Sequence, residues 1–97
     1  MDGIDTLRQR IDALDEHLVR LLNERAACAE AIGQWKLAAG VAVYQPGREA
    51  EVLAHVRAAN QGPLSDAALS RVFERIIDEA RYLERHVSEG QRATRQT

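Results

Sequence analysis

The chain has 97 residues, which suits a single domain, and 45% of them are hydrophobic, with Ala and Leu outnumbering the aromatic side chains. This composition favours helices over sheets. The net charge of −2 offers no electrostatic case for a nucleic acid or an anionic membrane as partner. We expect a cytoplasmic protein, because no signal peptide or membrane span is recognisable and the single Cys28, interpreted as a small buried residue, cannot form an intrachain disulfide.

A heptad pattern predicts one long helix from about Ile4 to about Ala38, ended by Gly40. Its apolar seam recurs at spacings of three and four residues and consists, apart from Arg25, of Ile4, Leu7, Ile11, Leu14, Leu18, Leu21, Cys28, Ile32 and Trp35. Such a helix is ~52 Å long, whereas a compact chain of this size has a radius of gyration of ~12–13 Å. Two shorter helices cannot cover the whole seam, so the sequence predicts an intertwined homodimer with two-fold symmetry.

A second, shorter helix is predicted from Pro46 to about Ala59. Residues 41–46 precede it as a loop, because this run is too short for an isolated strand and Pro46 keeps Gln45 out of the α region. Proline suits the first position of a helix, where its missing N–H leaves no bond unmade.

A third helix is predicted after the break at residues 60–63, with Ser65 as its N-cap. Its apolar pattern ends near Val87. Residues 1–87 are therefore expected to form the domain, and residues 88–97, which are nearly devoid of apolar side chains, a disordered tail.

Two cations mark the long helix as more than a packing element. Arg25 occupies a seam position where leucine would be expected, and a charge there needs an opposite charge or a ligand. Lys36 lies ~16 Å further along and only ~20° around the helix, so the two cations share a face. A salt bridge, or a side chain that reaches solvent, would explain either residue alone. Because no Asp or Glu lies beside the pair in the seam, we favour an anion-binding cavity.

The spacing of the other charged residues leaves their roles open. Arg8 lies ~25 Å along the helix from Arg25 and on another face, where a solvated side chain is the simpler interpretation. Arg48 stands at a helix start, where a cation is unfavourable for stability, and this suggests a functional role. Glu84 faces either a cavity or Arg81 on the surface. The three histidines show no metal-ligand spacing.

Six spaced segments, within about residues 4–84, form a recognisable series. They are Leu7-Arg8-x-x-Ile11-Asp12-x-Leu14-Asp15, Leu21-Leu22-x-x-Arg25, Ile32-Gly33-x-x-Lys36, Val43-Tyr44-Gln45-Pro46-x-Arg48-Glu49, Asn60-x-Gly62-Pro63-Leu64 and Phe73-x-x-Ile76-Ile77. The series resembles the all-α, AroQ-class chorismate mutases. That resemblance implies three helices per chain in an intertwined homodimer, active sites shared between subunits, chorismate as substrate, and neither metal nor cofactor.

The resemblance also implies roles for the cations. Arg25 and Arg48 would bind the carboxylates of chorismate, and Lys36 would approach the ether oxygen whose bond breaks. Arg8 would reach the active site of the partner chain, which replaces the interpretation of Arg8 as a solvated residue. A fixed cation beside that oxygen suits the reaction, because the oxygen gains negative charge in the transition state.

Four further positions complete the implied site. Glu49 would accept a hydrogen bond from the ring hydroxyl, and Glu84 would face the ether oxygen, where it must carry a proton to donate. Gln45 stands where the family commonly has Asp, and Ala80 stands where some members have Ser. These two departures leave undetermined which substituent the ring of the substrate carries.

Three alternatives therefore remain at the level of sequence. Two keep the fold and change the chemistry: a 4-amino-4-deoxychorismate mutase and an isochorismate pyruvate lyase. The third is a non-catalytic helical dimerisation module, which would have no use for Arg25 and Lys36 in its seam.

Overall fold

The computed structural model describes the backbone of residues 2–42 and 45–96 and the side chains of residues 3–42 and 45–86. Val43 and Tyr44, which belong to one of the similar segments, lie outside the described residues.

Within these residues the chain consists of helices joined by short connections, and the all-α prediction is confirmed. The helices are α1 (Asp2–Ala39), α2 (Pro46–Ala59) and α3 (Asp66–Gln96). α3 packs against both α1 and α2 and so holds the three together. None of the three, over the part of the chain that is described, has an apolar stretch long enough to cross a membrane.

Gly40 ends α1, as the sequence predicts. Its φ of +71° lies in the left-handed region, which glycine adopts without a steric penalty. The Gly40 N–H donates to the Leu37 carbonyl at 3.4 Å and the Val41 N–H to the Lys36 carbonyl at 2.9 Å. These two bonds form a Schellman motif, which fixes the backbone at Lys36 in the last turn of α1.

α2 begins at Pro46 and ends at Ala59, the predicted bounds. Its N-cap, Gln45, has an extended backbone (φ −135°, ψ 92°) and makes no side-chain cap hydrogen bond. The Arg48 N–H donates to the Gln45 carbonyl at 3.1 Å, so the backbone closes the first turn. The side-chain amide of Gln45 is not used in capping, and Gln45 lines the cavity described below.

The start of α3 is fixed by hydrogen bonds from polar side chains. Ser65 Oγ accepts a hydrogen bond from the Ala68 N–H at 3.0 Å, which confirms the predicted N-cap. Asn60 Nδ2 donates to the Leu64 carbonyl at 2.9 Å and to Asp66 Oδ1 at 2.7 Å. The loop that joins α2 to α3 is thus tied to the helix it precedes.

The end of α3 differs from the prediction. The helix continues to Gln96, nine residues beyond the predicted end at Val87. Residues 88–96 contain no proline, and Glu, Gln, Arg and Ala among them are good helix formers, so backbone propensity extends the helix where apolar patterning stops. The boundary between domain and tail at residue 88 stays a prediction.

The chain is elongated rather than compact. It measures 61 × 29 × 15 Å with a radius of gyration of 17.4 Å, against ~12–13 Å for a compact domain of this length. Among the described side chains, Ala29 is the one buried hydrophobic residue. In the first half of α1 the seam residues Leu7, Leu14 and Leu18 are 52–60% exposed. A single chain therefore leaves this half of the seam uncovered, as the sequence argument requires.

Candidate active site

A cavity of about 370 Å³ opens between the second half of α1, the start of α2 and the middle of α3. This volume lies in the range of small-molecule sites. Its wall is formed by Arg25, Cys28, Ala29, Ile32, Lys36, Gln45, Arg48, Glu49, Val52, Ile77, Ala80, Arg81 and Glu84. The three helices thus bring together seven of the eight predicted site residues, all except Arg8.

The cavity is positively charged although the whole chain is not. Four of its lining side chains are cationic and two are carboxylates, an excess of two positive charges in a protein whose net charge is −2. Fixed charge of one sign, concentrated in a cleft with apolar walls, attracts a ligand of the opposite sign. An excess of two positive charges suits a small ligand with two negative charges.

Lys36 and Glu84 form the least exposed ion pair of the described side chains. Lys36 Nζ lies 3.3 Å from Glu84 Oε2, and each side chain is 13% exposed. The sequence showed no acid beside Lys36 on its own helix; the carboxylate comes from α3 instead. An ion pair this far from water holds both groups in place, but desolvation offsets much of its attraction. A ligand oxygen can therefore compete for the ammonium.

Gly33 sets the distance between the helices that carry this pair. A Cβ built on Gly33 would lie 3.2 Å from Glu84 Cα and 3.3 Å from Glu84 Cβ. Those contacts are tighter than ordinary van der Waals packing, so α1 and α3 approach here more closely than a residue with a Cβ would allow without a shift. Lys36, one turn later on α1, reaches Glu84 for this reason.

Gly33→Ala is expected to lower the free energy of unfolding by up to about 2 kcal/mol. Overpacking costs about 1–3 kcal/mol, and the better helix propensity of Ala offsets about 1 kcal/mol of that. Urea denaturation measures the change. Gly47→Ala is the matched control, because no described atom lies within 4 Å of a Cβ there; equal destabilisation of both variants would contradict the close-approach argument.

Arg25 and Arg48 differ in how they are held. Arg25 is half-buried and makes no ion pair with any described carboxylate. Arg48 Nη1 lies 3.3 Å from Glu51 Oε2, one turn along α2, and both side chains are 69% exposed. Such a surface pair contributes only about 0–1 kcal/mol. Arg48 can therefore exchange Glu51 for a ligand carboxylate at the mouth of the cavity.

Arg81 is the site residue that sequence reasoning missed. From the sequence, Arg81 was considered only as one possible surface partner for Glu84, whereas the structure places it on the cavity wall, in an ion pair with Glu49 of α2. These two side chains are 25% and 29% exposed. The signal was present in the spacing, because residues 77, 81 and 84 lie on one face of a helix.

The remaining predicted positions fall in three places. Gln45 and Ala80 line the cavity, and their part in substrate binding stays a prediction. Cys28 also lines it and is exposed, so its interpretation as a buried residue is wrong for the single chain. Arg8 is exposed on the first half of α1 and takes no part in the cavity of its own chain.

Comparisons with known proteins agree with this geometry. The family model described as chorismate mutase type II matches residues 7–85. The bifunctional chorismate mutase/prephenate dehydratases of Stutzerimonas stutzeri and Pseudomonas aeruginosa are 39% and 42% identical over 88 residues, which is 86% of this chain and 24% of each relative. The structure of a chorismate mutase (form II) from Thermus thermophilus is 34% identical, with a TM-score of 0.83 over 84% of this chain and 93% of that one.

Proposed function

Because the chain belongs to the chorismate mutase type II family, we propose that it catalyses the Claisen rearrangement of chorismate to prephenate. The observation that carries this proposal is the cavity with its excess of two positive charges and its half-buried Lys36–Glu84 pair. Chorismate is a dicarboxylate whose ether oxygen gains negative charge as its C–O bond breaks and a C–C bond forms elsewhere in the same molecule. The reaction consumes no second reactant.

The charged side chains supply restraint and electrostatic stabilisation. Arg25 and Arg48 bind the two carboxylates and hold the enolpyruvyl arm over the ring, which removes part of the entropic barrier. Lys36 lies beside the ether oxygen and stabilises the charge that develops there. Its ammonium is already positioned by Glu84 and by the cap of α1, so little reorganisation is needed during the reaction.

Two carboxyl groups orient the two ends of the substrate. Glu49 accepts a hydrogen bond from the ring hydroxyl at the end of the cavity formed by α2. The Lys36 ammonium donates hydrogen bonds both to Glu84 and to the ether oxygen. In its protonated form, Glu84 donates a second hydrogen bond to that oxygen. Gln45 and Ala80 complete the wall without adding charge.

The active unit in this proposal is a homodimer. The uncovered half of the apolar seam supports it, since a second copy related by two-fold symmetry would cover the exposed leucines of α1. Arg8 then enters the partner's cavity and adds a further cation to it. We assign the enzyme to phenylalanine and tyrosine biosynthesis in the cytoplasm.

A chorismate-depletion assay on the purified protein tests the proposed function. Loss of chorismate with prephenate as the chromatographically identified product is expected. Isochorismate is supplied in a separate reaction, because the same fold and a similar set of cations suit a pyruvate lyase. Release of pyruvate from isochorismate without turnover of chorismate would establish the lyase instead. Absence of both activities would favour the non-catalytic dimer.

The role of Glu84 as a donor predicts that its amide analogue stays active. Glu84→Gln can donate a hydrogen bond to the ether oxygen through its amide N–H, so its kcat/KM for chorismate should be at least that of the wild type. Steady-state rates of the two proteins measure this.

Glu79→Gln is the matched control for that experiment. Glu79 pairs with Arg75 at 3.0 Å on the exposed face of α3 and lies outside the cavity. Its removal should leave kcat/KM unchanged. A Glu84→Gln protein that loses most of its activity would show that Glu84 does not act as a donor.

A further inference from the structure

The carboxylate at the α2 end of the cavity is neutralised by a cation. Glu49 is the carboxylate there, and Arg81 of α3 forms an ion pair with it. Gln45, at the start of the same helix, is neutral. Because Lys36 pairs with Glu84, the excess positive charge of the cavity lies with Arg25 and Arg48. The α2 end therefore offers hydrogen bonds without a net negative charge.

We propose that Arg81 is a specificity-determining residue, which makes the cavity select a ring with a neutral hydroxyl over one with a cationic amino group. The inference rests on the proposed function, since it assigns the ring substituent of the substrate to Glu49. It resolves the ambiguity left by Gln45, where a neutral amide stands in place of a carboxylate.

The physical reason is the charge that each substituent meets. A hydroxyl donates one hydrogen bond to the Glu49 carboxylate, which has acceptor sites to spare while it pairs with Arg81. An ammonium group at the same place would approach a carboxylate already neutralised and a guanidinium of its own sign. Like charges brought together in a site of reduced polarity discriminate against the wrong ligand.

Removal of the guanidinium should relax this selectivity. In Arg81→Gln the Glu49 carboxylate is left uncompensated and attracts an ammonium group. The measurement is kcat/KM for chorismate and for 4-amino-4-deoxychorismate, which carries an amino group in place of the ring hydroxyl. The ratio of the two values should shift towards the amino analogue by about ten-fold or more.

Three further variants separate selectivity from a structural effect. Arg81→Lys keeps the cation and should restore the wild-type ratio. Gln45→Glu leaves Arg81 intact, adds a carboxylate at the same end and should shift the ratio in the direction of Arg81→Gln, so it tests the idea even if Arg81→Gln fails to fold. Arg75→Gln removes an arginine from the exposed ion pair on α3 and should leave the ratio unchanged.

The outcomes distinguish this inference from the function on which it rests. Turnover of chorismate by the wild type, with the same ratio in Arg81→Gln and Gln45→Glu, would overturn the inference alone. It would make Arg81 a structural link between α2 and α3. A wild type that turns over neither compound would overturn the proposed function, and the inference with it.

Discussion

Replacing Lys36 with methionine is expected to lower kcat by about 10²–10³-fold, or about 3–4 kcal/mol in transition-state stabilisation. Methionine has a similar length and removes the ammonium group. The effect should appear in kcat more than in KM, because the ether oxygen carries its full negative charge only in the transition state. Steady-state kinetics on wild type and variant measure both parameters.

The ion pair with Glu84 requires a control for this variant. Lys36→Met removes the cation that pairs with Glu84, whose side chain is only 13% exposed. An unpaired charge at such a place can itself impair the site. The double variant Lys36→Met with Glu84→Gln removes that charge. If the cation is catalytic, the double variant stays as slow as the single one. Recovery to within ten-fold of wild type would show that the stranded carboxylate caused the loss.

Leu14→Glu is expected to abolish the dimer and, with it, the activity. Leu14 is 52% exposed in the single chain and lies in the half of the seam that the partner is proposed to cover. Burial of a leucine contributes about 1.5–3 kcal/mol, and two-fold symmetry applies the loss twice. The dissociation constant should rise at least a hundredfold or so. Analytical ultracentrifugation and kcat on the same samples measure the two effects.

Gln9→Glu is the matched control, since it adds the same charge to an exposed position on the opposite face of α1. It should leave both assembly and activity unchanged. A Leu14→Glu protein that sediments as the wild type and keeps its activity would contradict the shared-site dimer.

Mixing two inactive variants tests the sharing of Arg8 without disturbing the seam. Arg8→Ala and Arg25→Ala each inactivate both sites of their own dimer. A hybrid dimer contains one site with both arginines intact, so an unfolded and refolded equal mixture should recover about a quarter of wild-type activity. A mixture as inactive as its components would show that Arg8 does not act across the interface.

The bounds of α1 and α2 were predictable from the sequence because each has a strong local signal. Pro46 begins α2, and the Schellman glycine at residue 40 ends α1. The end of α3 lacked such a signal. Loss of apolar patterning marks the end of the surface that packs against other helices. It does not mark the end of the helical conformation, which can continue over polar residues. Prediction from patterning therefore placed the end at Val87 instead of Gln96.

The two cations that α1 contributes to the cavity were predictable from the sequence, but the partners of the charged residues were not. Arg25 and Lys36 stand out because they interrupt an apolar face of one helix, and helical periodicity alone places them together. The Lys36–Glu84 and Arg81–Glu49 pairs join different helices. Such contacts depend on how closely and at what angle the helices pack, and periodicity within one helix carries no information on either.

The uncovered half of α1 has a consequence for how the stability of this protein must be expressed. If a second copy covers that surface, folding and association form a single equilibrium governed by mass action, and the folded fraction depends on total protein. A melting temperature of this protein must then be reported together with the protein concentration at which it was measured. Dilution alone should favour unfolding, with no change in temperature or denaturant.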